Sequence, residues 1–386
     1  MSQPDLVFLS AYLPAQVAHQ AGEKTAFRNL CFLAERYRIH LISFRSAFDS
    51  EASLSTLRKI CAKVALVDVN FKTRLLGLAR NPMTPLAVAF RRHPTVSRLI
   101  NQWSSEVRFE RAHFEWSQMG QYTNLLRQVP ERSLYVHDVM HQWLGRKAVA
   151  TGSAFWKWEA GRARNWELAA YSRFTRIYVP SAKDSELLQG ASPQLAPILR
   201  VLPLHFDVYT PGARRANDKK LALFFWGALG RHENASAANW IVQHLLPGLR
   251  NANLQFSLVV GGSNPPEDLL AYRSEEVSIP GFINDPAPLF AQADVAVLPL
   301  LEGAGVKVKV LECLSSGIPV LTTVVGSEGI DAGPDDGLLT LPLTAEAFVT
   351  ELLRFSRDKA LLMRLREGAL AWAHKQHQDL ASLLLH

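Results

Sequence analysis

The sequence has few cysteines and no long apolar run. Only three cysteines occur among 386 residues, Cys31, Cys61 and Cys313, and none stands in a C-x-x-C spacing. This excludes the usual disulfide frameworks and zinc patterns, so we expect a reducing, cytoplasmic setting. No stretch approaches the length of a membrane span. The opening residues MSQPDLVFLSAYLP have no basic region of a signal peptide and are expected to form a first strand.

Low-complexity tracts and internal repeats are also missing, which excludes disordered and solenoid classes. Hydrophobic residues make up 48% and charged residues 20% of the chain, a balance typical of folded globular proteins. A chain of 386 residues exceeds the size at which single cores usually stop growing. We therefore expect two domains.

Positive charge is concentrated in one segment. Residues 58–111 carry eleven Lys or Arg against Asp68, Glu106 and Glu110, a balance of +8 within a chain of net charge +7. The segment also contains the apolar stretches LLGLA and PLAVAF and Trp103. Such a mixture predicts docking on an anionic membrane surface, although a solvated helical face explains any single residue equally well.

Short β-rich runs alternate with helical patterns along the whole chain. Examples are LVFLS, IHLISF, VALVDV, LALFFW, LQFSLVV and DVAVLPL. This alternation predicts an α/β protein with two doubly wound, parallel, Rossmann-like sheets facing a cleft. Residues 203–220 are rich in Pro, Gly, Asp and Asn and are expected to be the linker. The expected domains are residues 1–202 and 221–365, with a C-terminal helix over 366–386 that packs back on the first domain.

The segment GAGVKVKVLECLSSGIPVLTT, residues 303–323, follows the strand-like run ADVAVLPL. The order strand, glycine loop, helix predicts an anion site, because a helix N-terminus offers free N–H groups and glycine allows close approach. Lys307 and Lys309 add full charges. With a helix starting near Val306, Lys309 and Glu312 share a face, and a carboxylate there can accept hydrogen bonds from ribose hydroxyls. The pattern predicts a nucleotide site.

The same segment does not match two common phosphate-binding motifs. It lacks the G-x-x-x-x-G-K-[ST] of a P-loop and the third glycine of G-x-G-x-x-G, which disfavours ATPase and dehydrogenase functions. An ordinary helix N-terminus with a Lys309–Glu312 ion pair remains an alternative.

Residues 303–330 closely resemble the C-terminal signature of family 4 retaining glycosyltransferases of the GT-B fold, in its GxGxKxKxLE variant. FFWGALGRHENASAANWIVQHLLPGL and VSIPGFINDPAPLFAQADVAVLPL are similar to that family's first C-domain strand with its glycine loop and to its base-binding turn. The resemblance is strong over residues 221–330. The N-terminal half is looser, with similarity in its opening strand, glycine loop and helix.

The resemblance implies roles for several residues. The donor site would consist of Gly227, Arg231, Phe282, Ile283, Gly305, Val306, Lys307, Lys309, Glu312 and Glu328. Within it, Gly227, Arg231 and the two lysines would hold the diphosphate, Glu312 the ribose, and the backbone at Phe282 and Ile283 the base.

One position departs from the family pattern. The family usually has a second glutamate eight positions before Glu312, where this chain has Ala304, and Glu302 is out of register. The loop N–H groups or Glu328 would then contact the donor sugar.

In the N-terminal half, His137 follows the strand SLYV where the family commonly has a histidine near the donor sugar. An imidazole there could donate a hydrogen bond to sugar or phosphate oxygens, and we expect it to be catalytic. A histidine that only caps the strand end is the alternative. Glu115 is the second catalytic candidate, for orienting an acceptor hydroxyl. Gly22 and Lys24 are expected on the acceptor side.

The predicted function is transfer of a sugar from a nucleotide-diphosphate donor to a glycan or lipid-linked acceptor, in bacterial cell-surface polysaccharide synthesis. No H-E-x-x-H spacing occurs, so we expect no metal and no cofactor beyond the donor substrate. We expect no nucleic acid partner. A nucleotide-sugar epimerase of the same architecture and a non-catalytic nucleotide-sugar-binding or membrane scaffold protein are the alternatives.

Overall fold

The computed structural model describes residues 3–16, 21–46, 49–68, 78, 83–204, 206, 220–283, 285–303, 305–377 and 384. Most of the expected linker and Ala304 lie outside these ranges. The chain divides into two compact units. The first consists of Met1–His205 and Leu380–His386, and the second of Phe206–Asp379.

The first unit contains a seven-stranded parallel sheet. Its strands are Asp5–Ser10 (β1), Arg38–Arg45 (β2), Lys63–Asp68 (β3), Phe109–Glu115 (β4), Glu131–Tyr135 (β5), Arg176–Val179 (β6) and Leu199–Val201 (β7). They lie side by side in the order β3-β2-β1-β4-β5-β6-β7. Every adjacent pair is parallel.

Helices connect these strands. They are Ala21–Arg36 (α1), Glu51–Ile60 (α2), Leu86–Ala89 (α3), Pro94–Glu106 (α4), Met140–Thr151 (α5), Ala154–Tyr171 (α6) and Ala182–Ala191 (α7). Short 3₁₀ helices occupy Ser117–Leu126 and Pro193–Leu195.

The second unit has a six-stranded parallel sheet in the order β10-β9-β8-β11-β12-β13. Its strands are Leu221–Trp226 (β8), Phe256–Gly261 (β9), Val277–Gly281 (β10), Val295–Leu298 (β11), Val320–Thr322 (β12) and Leu338–Thr340 (β13). All neighbouring strands are parallel.

The helices of the second unit include one π-helical turn. They are His232–Trp240 (α8), the π turn Ile241–Leu245, Leu246–Asn251 (α9), Glu267–Leu270 (α10), Ala287–Gln292 (α11), Val308–Ser315 (α12), Val324–Ser327 (α13), Ala345–Arg357 (α14) and Lys359–His377 (α15). A 3₁₀ turn lies at Pro334–Asp336.

The apolar strands explain where the cores lie. Strand β11 reads VAVL and is buried throughout, and β1 is buried from Leu6 to Ser10. Strands covered on both faces by helices read as continuous apolar runs, as the sequence predicted. In each sheet the first strand lies next to the fourth, at β1/β4 and at β8/β11. In open α/β sheets this switch in strand order marks the ligand crevice at the carboxyl strand ends.

The last helix differs from the expected boundary at residue 366. Helix α15 is continuous from Lys359 to His377 and lies in the second unit. It is fixed there by aromatic contacts, since Trp372 stacks on Phe206 with ring centroids 5.6 Å apart and donates its Nε1–H to the Asp331 carbonyl at 2.5 Å. Leu384 belongs to the first unit, where its carbonyl accepts a 3.0 Å hydrogen bond from Arg111.

Within the described residues, no helix is both long enough and apolar enough to cross a bilayer.

Candidate functional site

The turn after β8 is shaped by close backbone contact. The Gly227 N–H donates to the Gly261 carbonyl at 3.1 Å. Gly262 has φ +154°, and a Cβ added there would lie 1.7 Å from the Gly227 carbonyl oxygen. Only glycine fits this approach. The turn after β8 and the residues after β9 therefore pack backbone against backbone.

Lys309 and Gly227 meet at this point. A Cβ on Gly227 would lie 2.9 Å from Lys309 Nζ, so the ammonium group rests directly against the glycine. The ammonium also donates to Asn234 Oδ1, while Asn234 Nδ2 donates to the Ala228 carbonyl at 2.8 Å. Asn234 lies in the first turn of α8, and sequence reasoning missed it. These contacts hold Lys309 at the N-terminal end of α8.

The electrostatics around Lys309 favour an anion. The pKa of Lys309 is lowered to about 8, chiefly by burial and also by the nearby charges of Arg231 and Lys307, whereas Glu233 acts in the opposite direction. A cation whose pKa is lowered by burial and by like charges gains stability when a negative group arrives. The two helix N-termini, of α8 and α12, add partial positive charge.

Lys307 lies just outside the helix. The helix was expected to begin near Val306, but α12 begins at Val308, because Lys307 is its N-cap residue with extended backbone angles of φ −88° and ψ 97°. Its Nζ donates to the Gly305 carbonyl at 2.6 Å and lies 4.0 Å from Glu328 Oε2. Val306, between them, is half-buried. The structure thus brings Gly305, Lys307 and Glu328 together.

Arg231 and Glu302 lie at the periphery of this cluster. Arg231 is the N-cap residue of α8, its side chain is 67% exposed, and it forms an ion pair with Glu233. Glu302 accepts a 2.6 Å hydrogen bond from Nδ1 of the exposed His232. Arg231 is the more exposed of the two side chains and is accessible to a ligand.

Glu312 lies one turn along α12 and bonds to a tryptophan. Trp226 Nε1–H donates to Glu312 Oε2 at 3.1 Å, which fixes the carboxylate beside the end of β8. Trp226 was not predicted as a site residue, although it directly precedes Gly227 in FFWG. The half-buried carboxylate is an acceptor suited to vicinal hydroxyls.

The candidate base site lies at the ends of β9 and β10. Phe282, just after β10, is 70% exposed. A Cβ on Gly261 would lie 2.9 Å from Ile283 Cδ1 and 3.0 Å from the Trp226 ring. Ile283, Gly261 and Trp226 therefore adjoin one another. An apolar surface of this kind can carry a planar base.

In the first unit, Glu115 ends β4 and is completely buried. Its Oε1 accepts hydrogen bonds from Asn29 Nδ2 at 2.8 Å and His113 Nε2 at 3.0 Å. Its Oε2 accepts from His137 Nε2 at 2.6 Å. Three protein donors surround the buried carboxylate, and the expected contact between Glu115 and an acceptor hydroxyl stays a prediction. Glu115 is a positioning residue for His137.

The network fixes which ring nitrogen of both imidazoles carries a proton toward Glu115. Burial alone would raise the pKa of Glu115, but the hydrogen bonds and charges of His113 and His137 lower it to about 2. The ionised carboxylate only accepts, so each Nε2 carries a proton. Burial lowers the pKa of His113, whose Nδ1 then accepts from Ser133 Oγ at 2.9 Å. Ser133 in turn accepts from Arg111 Nε at 3.2 Å.

Because Nε2 of His137 bonds to Glu115, Nδ1 is the ring nitrogen that points away from this carboxylate. In the neutral ring Nδ1 carries a lone pair and accepts a hydrogen bond, and only the protonated ring donates from Nδ1. The expected donation to sugar or phosphate oxygens therefore requires the imidazolium form. Neutral His137 is instead arranged to accept from a hydroxyl.

Aromatic rings and one glycine surround His137. Trp116 stacks on it with centroids 4.0 Å apart, and Tyr135 contacts it edge-on at 4.9 Å. A Cβ on Gly22 would lie 3.4 Å from His137 Nδ1 and 2.9 Å from Trp116 Cζ2. Gly22 and the half-buried Lys24 lie in the first turn of α1. The structure therefore brings Gly22 to the ring nitrogen that faces away from Glu115.

Trp116 also carries an unusual backbone, with φ +68° at a bulky residue. Such a conformation costs of order 1–3 kcal/mol and is frequent at functional sites.

In the described part of the chain, no group of three or more His, Cys, Asp or Glu is arranged to hold a metal ion.

Comparison with known proteins identifies the fold. Residues 220–358 match the family model of glycosyl transferases group 1. A comparison with curated protein sequences gives no match. Sucrose-phosphate synthase from Thermosynechococcus elongatus is similar in structure, with a TM-score of 0.71 and 14% identity over 99% of this chain and 96% of that one.

Two further solved structures are similar over nearly the whole chain. The lipopolysaccharide outer core galactosyltransferase WaaB in its apo form gives a TM-score of 0.64 at 14% identity, covering 97% of this chain and 98% of that one. HepE from Anabaena in complex with UDP-glucose gives 0.63 at 12% identity, covering 98% and 97%. Together with the two parallel sheets, these neighbours show that the chain has the GT-B fold. The family match supports glycosyl transfer.

Proposed function

We propose that this protein transfers a sugar from a nucleotide-diphosphate donor to an acceptor hydroxyl. The observation that carries the proposal is the Lys309 ammonium held against Gly227 and bonded to Asn234, between two helix N-termini. A diphosphate offers the charge that this arrangement favours. The match of residues 220–358 to glycosyl transferases group 1 covers the same residues.

Each donor group has a corresponding residue in this proposal. Lys307, Lys309 and the α12 N-terminus neutralise the diphosphate as it leaves, without a metal ion. Glu312 accepts hydrogen bonds from the ribose, and the Trp226–Ile283 surface carries the base. Uridine is the first base to test, because HepE was solved with UDP-glucose. Glu328 and the loop after Gly303 would contact the sugar.

The acceptor is assigned to the first unit. Neutral His137 accepts a hydrogen bond at Nδ1, and Glu115 holds the ring through Nε2. A hydroxyl of a glycan or a lipid-linked sugar fits that acceptor. We further propose retention at the anomeric carbon and a role in bacterial cell-surface polysaccharide synthesis, in line with the lipopolysaccharide enzyme among the structural neighbours. The free thiols of all three cysteines favour a cytoplasmic location.

A screen of nucleotide sugars followed by turnover tests this proposal. The protein is incubated with UDP-, GDP- and ADP-sugars, first alone and then with a mixture of glycan and lipid-linked acceptors. We expect one donor to raise the unfolding temperature and to yield a glycosylated product with chelator present. Isomerised donor without transfer would indicate an epimerase. Binding without any turnover would indicate a scaffold protein, and either result would reject the proposal.

A further inference from the structure

Helices α5 and α6 form a helical hairpin in the first unit, joined by Gly152 and Ser153. The hairpin rests on a small apolar core of its own, made by Val88, Met140, Leu144 and Ala163 with partly buried tryptophans around it. Its buried residues differ from those of the sheet core, and Trp166 packs against both. The hairpin is therefore packed onto the first unit, and its outer side chains lie on regular helices.

The outer side of the hairpin exposes large apolar side chains. Val149 is 86% exposed, Trp158 54% and Phe155 46%. The rings of Phe155 and Trp158 lie one turn apart on α6, with centroids 6.0 Å from each other. Exposed aromatic pairs of this kind are unusual away from interaction sites.

Met83 extends the same region. Its side chain is 81% exposed, and it precedes a segment that α6 holds in place. The Leu86 N–H donates to Glu159 Oε1 at 2.6 Å, and Arg162 donates to the Thr84 carbonyl. These contacts place Met83 beside α6.

Charge on the hairpin has a single sign. Between Met140 and Tyr171, a range described without gaps, the exposed charged side chains are all basic: Arg146, Lys147, Lys157 and Arg164. The acidic residues of this range are buried. Glu159 bonds to Leu86 N and Arg162, and Glu167 accepts from the backbone N–H groups of Met140 and His141.

Basic and aromatic groups also lie in contact. Lys147 Nζ is 3.7 Å from the Trp156 ring centroid, and the Arg162 guanidinium is 4.2 Å from that of Trp158. Long basic side chains beside tryptophan are typical of a bilayer interface, where the charged group meets phosphate and the ring enters the headgroup boundary.

In its described part, the segment expected to dock on a membrane, residues 58–111, exposes fewer large apolar side chains than the hairpin does. Trp103 is only 6% exposed, and Val88 of PLAVAF and Arg111 are fully buried. Lys63 is bonded to Glu106 at 2.6 Å. The stretch LLGLA lies outside the described residues except for Leu78. The Trp103 ring packs into the sheet core, while docking through residues 58–111 stays a prediction.

We propose that the outer side of the α5–α6 hairpin, defined by Lys147, Val149, Phe155, Lys157 and Trp158, docks the protein on an anionic lipid membrane. The lysines contact lipid phosphates, and the two aromatic rings enter the headgroup boundary. A surface with one sign of charge and exposed rings matches a bilayer of opposite charge. This inference goes beyond the proposed function, because it requires neither a donor nor turnover.

Vesicle flotation of the full chain tests the proposal. One set of vesicles is phosphatidylcholine, and the other is an equimolar mixture with phosphatidylglycerol. We expect binding to the anionic vesicles that weakens at high salt. The double variant Lys147→Glu/Lys157→Glu should lower partitioning by roughly tenfold or more. Phe155→Ser/Trp158→Ser should also reduce it at both salt concentrations, because it removes the apolar contribution.

Two matched variants serve as controls. Arg58→Glu/Lys59→Glu makes the same charge change on α2, within the segment 58–111, and should reduce binding far less. Tyr272→Ser removes an exposed ring from the second unit and should have no effect. Equal sensitivity of the α2 variant, or equal binding to neutral and anionic vesicles, would overturn the proposal. Self-association abolished by Phe155→Ser/Trp158→Ser, without vesicle binding, would assign the surface to a second copy and reject it.

A conservative variant guards against misfolding. Trp158→Phe keeps a ring, and fluorescence quenching by phosphatidylcholine with brominated acyl chains, mixed with phosphatidylglycerol, reports on ring depth. The chain has nine tryptophans, so the measured quantity is the difference between wild type and variant. We expect the variant to lose part of the quenching while its unfolding temperature is unchanged. Unchanged quenching would contradict insertion of Trp158.

Discussion

The two units share one strand order but carry opposite chemistry at their switch points. In the first unit the end of β4 holds Glu115, fully buried and surrounded by two imidazoles and an amide. In the second, the region after β11 holds Lys307 and Lys309, both half-buried, and their like charges act on each other. The same scaffold thus supports a completed polar network in one unit and an electropositive site in the other.

This difference indicates different tasks. A completed network has nothing to gain from an added ion, and its value lies in holding one ring in one tautomer. An electropositive cluster gains free energy when an anion binds. We therefore expect substitutions in the first unit to affect stability and those in the second to affect ligand affinity.

The largest effect is expected for Glu115→Ala. It would leave His113, His137 and Asn29 without their buried acceptor, and breaking a buried charged network costs about 3–5 kcal/mol of unfolding free energy. Urea unfolding measures this loss. The matched variant Glu302→Ala, at a half-exposed residue of the second unit, should lose less than about 1 kcal/mol. A small loss for Glu115→Ala would show that the network contributes little.

The contribution of the Glu115 network to stability should also depend on pH in the acid range. The pKa of Glu115 falls from an ordinary 4.5 to about 2 in the folded protein. A lowered pKa stabilises the fold above pH 4.5, and this contribution, about 3 kcal/mol, is lost as the pH falls from about 4.5 to about 2. When the unfolding free energy is measured against pH, wild type should show this loss at low pH, and Glu115→Gln should not. Identical slopes would contradict the assignment.

An intermediate effect is expected for Glu312→Gln in the second unit. The amide keeps an oxygen for Trp226 but removes the charge-assisted bond to a ribose, worth about 1.5–3 kcal/mol. Titration calorimetry should show roughly a tenfold or greater loss of nucleoside affinity. Glu302→Gln, which lies outside this contact, should bind normally. If the Glu302 variant is the weaker binder, the ribose assignment is wrong.

The smallest effect is a proton uptake on donor binding. Because the pKa of Lys309 is about 8, part of the population is neutral at pH 8, and a bound diphosphate raises that pKa. Binding should therefore take up a fraction of a proton near pH 8 and less at pH 6. Calorimetry in buffers of different ionisation enthalpy measures it. The absence of uptake at pH 8 would place Lys309 away from the phosphates.

Much of the fold could be predicted from local sequence. Apolar runs such as VAVL in β11 identify buried parallel strands, and the order of strand, glycine loop and helix locates Lys307 and Lys309. These features depend on neighbours in the chain. The helix start was misplaced by two residues, since the extended backbone of Lys307 follows from its loop contacts and not from its residue type.

Contacts between distant residues could not be predicted. Asn29 and Glu115 are 86 positions apart, and Trp226 and Glu312 are also 86 apart. No spacing in the sequence links them. The burial of Trp103 could not be predicted either. It depends on packing of α4 against the sheet, which the sequence of the basic segment alone does not indicate.

The central claim is that the second unit binds a nucleoside diphosphate through Lys309. The most direct test is calorimetric titration of wild type and Lys309→Ala with UDP and with uridine, with the exposed Lys359→Ala as control. The account predicts that Lys309→Ala weakens UDP binding by about 1.5–3 kcal/mol, roughly 10- to 150-fold, and leaves uridine binding nearly unchanged. Equal weakening of UDP and uridine, or no change in either, would contradict it.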